Sequence, residues 1–226
     1  MSKILSIVIP VFNKFAFTKS CLLDLSRLPN DHEIIVIDNG SSDETKIQLE
    51  QSKEIVYHRN NLNLGFAKAC NIGYNLSTAA NILFLNNDVK VRSDHATWTN
   101  NLIKYCDKAL VGPTMGQLDD QLNFVKEANC QLSGMSYLSG WCIASSKNIW
   151  NKLDISGKGM IFSEEFFCYY EDSDLGGRAR KLEIPMRVVD IPVVHFGKTT
   201  SKQLNTYQLY KAAQNIFIKK WKNRNY

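Results

Sequence analysis

The segment Leu5-Ser6-Ile7-Val8-Ile9-Pro10-Val11 is a β-branched run of strand length, and its near-continuous apolarity suits a strand covered on both faces. Working outward, Thr18 to Leu28 places Leu22, Leu25 and Leu28 three apart before Pro29-Asn30, which predicts a helix and its stop. Glu33-Ile34-Ile35-Val36-Ile37-Asp38 predicts a second buried strand, ended by the turn residues Asn39-Gly40-Ser41-Ser42, with a helix over Asp43 to Gln51. Ile55 to His58 is a third strand, Phe66 to Leu76 a third helix, and Asn81 to Leu85 a fourth strand that runs into Asn86-Asn87-Asp88. This alternation specifies a parallel sheet with helices on both faces.

Beyond about residue 110 the rhythm loosens. Strands are expected near Leu110, near Phe124, over Tyr137 to Ala144 and over Arg187 to Val194, and a helix from Ser173. A loop is expected at Ser156 to Glu165, and Tyr207 to Trp221 reads as an amphipathic helix whose stripe is Tyr207, Tyr210, Ala213, Phe217 and Trp221. With no repeat and no low-complexity linker, the second half is expected to complete the sheet of the first.

The 226 residues, 44% hydrophobic and 22% charged, exclude disordered, collagen-like and coiled-coil classes and are enough for one α/β domain with a sizeable core. The six cysteines (Cys21, Cys70, Cys106, Cys130, Cys142, Cys168) form no C-x-x-C pair and have no histidine at zinc-finger spacing, so they read as reduced core thiols. No signal-peptide core or membrane span is evident, which gives the expectation of a cytoplasm-like compartment. The net charge of +5 is concentrated late: after Asp190 the chain carries seven bases and no acid. A solvated helix face explains that basicity, and peripheral contact with an anionic inner membrane face is the alternative; nucleic acid is not expected as a partner.

In an open α/β sheet, ligands bind beyond the carboxyl ends of the strands. Asn13, Asp38 to Asp43 and Asn86-Asn87-Asp88 occupy such places. A G-x-G-x-x-G fingerprint and a phosphate-binding G-x-x-x-x-G-K-[ST] loop are both absent, which argues against dehydrogenase and NTPase chemistry. A hard cation on Asp88 would be the economical way to hold a diphosphate, with His195, at the end of Ile191-Pro192-Val193-Val194, as a second ligand or else a core imidazole. Glu171-Asp172-Ser173-Asp174 follows the aromatic run Phe166 to Tyr170. Acids there serve as helix caps, or one of them is held ionised as a general base.

These segments, in order, are Ser6 to Asn13, Ile37 to Asp43, Asn63-Leu64-Gly65-Phe66-Ala67 with Asn71, Leu83 to Val89, Gly140-Trp141-Cys142, Phe166 to Leu175, and His195. Together they resemble the family 2 glycosyltransferases of the GT-A fold, in particular a rhamnosyltransferase-like, bacterial polysaccharide branch. The resemblance implies a single Rossmann-like GT-A domain over residues 1–202, with residues 203–226 a basic amphipathic helix packed on it. It implies transfer with inversion from a nucleotide-sugar to a glycan, lipid-linked or protein-linked acceptor, with Mn²⁺ or Mg²⁺.

The site residues follow from the same resemblance. Asp38 is expected to read the nucleobase, UDP or dTDP by preference, beside Pro10, Val11, Phe12 and Asn13. Asn63, Gly65, Lys68, Asn86 and Asn87 are expected around the nucleotide, and Asp88 and His195 on the metal. Asp172 is the expected base, with Trp141 and Glu171 toward the acceptor. Two departures stand out: Asn86 replaces the first acid of the D-x-D pattern, and the glycine after His195 comes one residue early. Asn86 keeps open a second reading, a binding module without catalysis.

Overall fold

The computed structural model describes residues 2–92, 98–197 and 206–222. In chain order the strands are β1 (Leu5–Val11), β2 (His32–Asp38), β3 (Val56–Arg59), β4 (Asn81–Leu85), β5 (Val89–Val91) and β6 (Leu110–Gly112). They continue with β7 (Met115–Leu118), β8 (Phe124–Ala128), β9 (Ser136–Leu138), β10 (Cys142–Ser146), β11 (Met186–Val188) and β12 (Val193–His195). The helices are α1 (Phe15–Leu25), α2 (Thr45–Leu49), α3 (Phe66–Leu76), α4 (Trp98–Cys106), α5 (Lys147–Leu153), α6 (Glu171–Lys181) and α7 (Thr206–Trp221).

Seven of the described strands form one sheet, ordered β11-β6-β10-β4-β1-β2-β3. The pairs β1 with β2, β1 with β4, β2 with β3 and β6 with β11 are parallel, and β10 alone runs against its two neighbours. The fold is therefore α/β with a mostly parallel central sheet. The two-residue period of β1 separates the faces: Leu5, Ile7, Ile9 and Val11 pack with residues of α1, α2 and α4, while Val8 packs with residues of α3, α5 and α6.

The second half completes the central sheet only in part. Tyr137 to Ala144 is not one strand: β9 pairs with β7 in a small antiparallel sheet, and β10 enters the large one after the turn Ser139-Gly140-Trp141. Arg187 to Val194 likewise divides, because β11 joins β6 while β12, after Pro192, pairs antiparallel with β5. Each expected strand was an apolar run long enough for one element, and tertiary pairing split it at its turn residues. The first helix begins earlier than expected, after Lys14 in the left-handed region (φ 61°), and its last turn stops short of Pro29. The second helix shrinks to α2, and α6 begins at Glu171 rather than Ser173.

The stripe on α7 packs on the small sheet and the segment before α6, not on the central sheet. Ala213, Phe217 and Trp221 are buried with Leu118, Tyr137, Phe166 and Tyr170. Tyr207 departs from the expected stripe and is 71% exposed. At the far end of α7, Trp221 Nε1 and Lys220 Nζ reach the fully buried Asp174 carboxylate at 2.9 and 3.0 Å, and Arg178 closes its other oxygen at 3.0 Å. The expected boundary at residues 202 and 203, and the bases Lys198, Lys202 and Arg224, lie outside the described residues. Cys21, Cys70, Cys106 and Cys142 are buried as core thiols, whereas Cys130 is exposed and Cys168 is half-buried.

Candidate active site

The carboxyl ends of β1, β2 and β4 open onto one cavity. Its walls include Pro10 and Val11 at the end of β1, Phe12 after it, Asn39 after β2, Asn63 and Gly65 before α3, Asn86 to Asp88 after β4, Phe167 to Tyr169, and His195. Thr206 and Leu209 of α7 complete the rim. Most of the residues expected around a nucleotide are thus brought together, by the strand ends and the loop before α3.

Local chemistry fixes these walls. The Asn39 amide donates to Asn63 Oδ1 (3.0 Å) and to the Gly65 carbonyl (2.9 Å), while its oxygen accepts from Asn60 Nδ2 (2.9 Å), so the loop from 60 to 65 is tied to the end of β2. Gly65 has φ +89°, and a Cβ there would stand 2.4 Å from the Phe167 carbonyl, which accepts the Phe66 N–H at 2.7 Å. Only glycine allows this approach of α3 to the segment before α6.

Three of the residues expected around the nucleotide are not among those lining the cavity. Asp38 is fully buried; its carboxylate accepts from the Ser41 N–H (2.8 Å), Tyr57 Oη (2.6 Å) and the Arg59 guanidinium. It therefore faces the protein rather than the cavity. Lys68 pairs with Glu164 at 3.6 Å, away from the cavity wall. Asn13, also off the wall, accepts the Ser42 N–H at 2.7 Å and shapes the turn after β2.

Asp88 and His195 meet because β12 pairs with β5. His195 lies opposite Val89 in the register, and the Phe196 N–H donates to the Asp88 carbonyl at 3.0 Å. His195 Nε2 lies 3.0 Å from Asp88 Oδ1 and 3.2 Å from Asn86 Nδ2. The Asn86 N–H donates to the Trp141 carbonyl (2.8 Å), and the Asn87 amide to Thr18 Oγ1 on α1 (2.9 Å), so the turn carrying Asp88 is pinned on both sides.

A carboxylate oxygen and an imidazole nitrogen separated by 3.0 Å match one edge of an octahedron with bonds of about 2.1 Å, so this donor pair fits a small divalent cation. No cluster of three or more His, Cys, Asp or Glu is found among the described residues. A cation here would take its remaining ligands from water and from phosphate, the usual arrangement for Mg²⁺ with a nucleotide.

Asp172 stands on the first turn of α6, which the chain enters through Tyr169 and Tyr170, both in the left-handed region (φ 73° and 65°). The Gly140 N–H donates to Asp172 Oδ2 (2.9 Å) and the Ser173 N–H to Oδ1 (2.7 Å). A Cβ on Gly140 would meet Asp172 Oδ2 at 3.3 Å, so the glycine before Trp141 makes room for the carboxylate. Burial pushes Asp172 up to about 6 against those two N–H bonds. Glu171 is buried deeper, its Oε2 has no hydrogen-bond partner among the described residues, and burial together with the neighbouring Asp172 raises it to about 8.

Trp141 joins the two halves of the site. It follows Gly140 in the chain, and its ring stacks on His195 with centroids 4.8 Å apart and planes 12° from parallel. Asp88, His195, Trp141 and the Gly140 contact to Asp172 therefore form a continuous series. On the other side of this wall lies a second cleft bordered by Arg92, Thr114, Glu127, Asn129, Asp190, Trp141 and His195.

Sequence reasoning missed Asn39, Phe167 to Tyr169 and the start of α7 as cavity walls. The first two stood inside segments already singled out; the third had no local signal, since only the packing of α7 brings it there.

A family model described as Glycosyl transferase family 2 matches residues 6–120. Among solved structures, the chain is similar to S. aureus TarS 1-349, with 16% identity and a TM-score of 0.60 over 84% of this chain and 59% of that one. It is also similar to the mannosyltransferase PcManGT from Pyrobaculum calidifontis, in complex with GDP-Man and Mn²⁺, with 13% identity and a TM-score of 0.58 over 82% and 54%. The chain thus spans 59% and 54% of the lengths of these two proteins. Among curated proteins, none matches.

Proposed function

Because the chain belongs to glycosyl transferase family 2 and has the GT-A fold of the structures it resembles, we propose that it is an inverting, divalent-metal-dependent glycosyltransferase. The donor is a UDP- or dTDP-linked sugar and the acceptor a hydroxyl of a glycan or of a lipid- or protein-linked saccharide. The reading rests above all on one observation: Asp88 and His195 are 3.0 Å apart on the wall of the cavity at the strand ends, and His195 stacks on Trp141, whose chain neighbour Gly140 donates its N–H to Asp172.

The walls formed by Pro10 to Phe12, Asn39, Asn63 and Gly65 suit a nucleotide: an apolar floor for the base, rimmed by amides. Asp38 ties the end of β2 to β3 by accepting from Tyr57 and Arg59. Asp88 and His195 would hold Mn²⁺ or Mg²⁺, which supplies charge neutralisation for the departing nucleoside diphosphate. Asp172 accepts the proton of the attacking hydroxyl; its raised value keeps it a stronger base than an exposed aspartate while leaving it ionised near neutrality. The aromatic side chains Phe167 and Tyr169 add apolar surface to the cavity wall.

No described helix is long and apolar enough to cross a membrane. A cytoplasm-like compartment, with α7 near a membrane face when the acceptor is lipid-linked, is part of the proposal, and its support is the free thiols and the late bases.

The test is a thermal-shift screen of UDP, dTDP, GDP and CDP with and without Mn²⁺, followed by hydrolysis and transfer assays on the matching nucleotide-sugar. Binding to the folded state alone raises its stability by about 2.7 kcal/mol at a hundred times Kd. A cation-dependent shift for one or two pyrimidine nucleotides is expected; no shift with any nucleotide would overturn the reading.

A further inference from the structure

We propose that Glu127, on the edge strand β8, is a positioning residue for His195 and acts through the indole of Trp141. The inference rests on the metal reading of Asp88 and His195. Glu127 Oε1 accepts from Thr114 Oγ1 at 2.7 Å and from Trp141 Nε1 at 2.9 Å, and the carboxylate also accepts from the Ser139 side chain. The first ties the carboxylate to the residue just before β7; the second fixes the rotation of the indole about its own chain. The indole face then lies on the imidazole at 4.8 Å, nearly parallel, and Nε2 of that imidazole lies 3.0 Å from Asp88 Oδ1.

Each link removes a freedom that His195 would otherwise keep. β12 is only three residues long and all three are half-buried, so side-chain contacts set the ring's orientation along with the backbone. Stacking restricts the imidazole plane, and the Nε1–H bond restricts the plane it stacks on. Groups behind a metal ligand that set its orientation are commonly worth about 10–100-fold in metal affinity. Glu127 lies outside residues 6–120, so this support comes from the part of the chain that the family match does not reach.

The experiment measures binding of Mn²⁺ alone to the full chain by the EPR signal of the free ion, with thermal melting alongside. Glu127→Ala is expected to weaken Mn²⁺ binding by about tenfold. Glu127→Gln, whose amide carbonyl still accepts from the indole, is expected to stay within about twofold. Trp141→Phe keeps a ring to stack but has no Nε1–H, so it should reproduce the loss, and Glu127→Ala added to Trp141→Phe should lose nothing more. Trp141→Phe also serves if Glu127→Ala does not fold.

Unchanged Mn²⁺ binding in folded Glu127→Ala or in Trp141→Phe, with a loss in Asp88→Ala, would overturn the role of Glu127 and leave the metal reading standing. A full further loss in the double variant would overturn the route through Trp141. Equal binding by the unmodified chain and by Asp88→Ala would remove the metal reading, and this inference with it.

Discussion

His195 Nε2 and Asp88 Oδ1 are 3.0 Å apart because two short strands, β5 and β12, pair antiparallel beside the central sheet. Neither residue would hold a cation well alone. Asp88→Ala and His195→Ala are each expected to abolish the Mn²⁺-dependent part of a nucleotide-induced thermal shift while leaving the fold intact. A shift that keeps its cation dependence in both variants would separate the pair from metal binding.

Asp172→Asn is expected to retain nucleotide affinity and to lower kcat by about 10²–10⁴, the usual worth of a positioned base. The unmodified enzyme should lose rate as pH falls through the raised value of Asp172, about 6, since only the ionised carboxylate accepts a proton. A rate that stays flat from neutral to mildly acidic pH would assign the proton to another group.

Glu171 gives a stability prediction whose sign follows from its raised pKa. A carboxyl lifted to about 8 on folding contributes stability fully below its unfolded value of about 4.3, and loses that contribution as pH rises through 8. Glu171→Gln cannot ionise. Its melting temperature relative to the unmodified chain should therefore rise as pH goes from about 4.3 to about 8, by about 2–4 °C for each kcal/mol relieved, and level off above that. Parallel melting curves across that range would contradict it.

Gly65→Ala should destabilise the fold by about 1–3 kcal/mol, because alanine is strained at φ +89° and its Cβ would press on the Phe167 carbonyl. The same push would shift the segment leading to Asp172, so urea denaturation and turnover should both report the change.

Phe217→Ala on α7 should cost about 3–5 kcal/mol, the usual loss for a large buried ring, since Phe217 is 0% exposed among Phe166, Tyr170 and Trp221. A much smaller cost in equilibrium unfolding would mean that α7 docks more loosely than its contacts imply.

The half of the fold built on β1 to β4 was legible in the sequence because strands buried on both faces must be apolar throughout, as Ile7 to Ile9 and Ile34 to Ile37 are. Helix α3 was legible end to end, because Gly65 opens it and Ser77 closes it. Tyr137 to Ala144 misled because an apolar run does not say which sheet each part will join. The Asp88, His195 and Asp172 constellation rested on the family resemblance more than on local pattern. The inward direction of Asp38 was hidden because Tyr57 and Arg59, which hold its carboxylate, belong to the neighbouring strand. Glu127 had no signal at all, being a single acid on an exposed edge strand.

The pairing of β12 with β5 also sets an order of events during synthesis. A ribosome releases Asp88 long before His195, so the growing chain cannot bring the imidazole to the carboxylate until much later. Truncation anywhere before β12 would leave Asp88 without its imidazole neighbour.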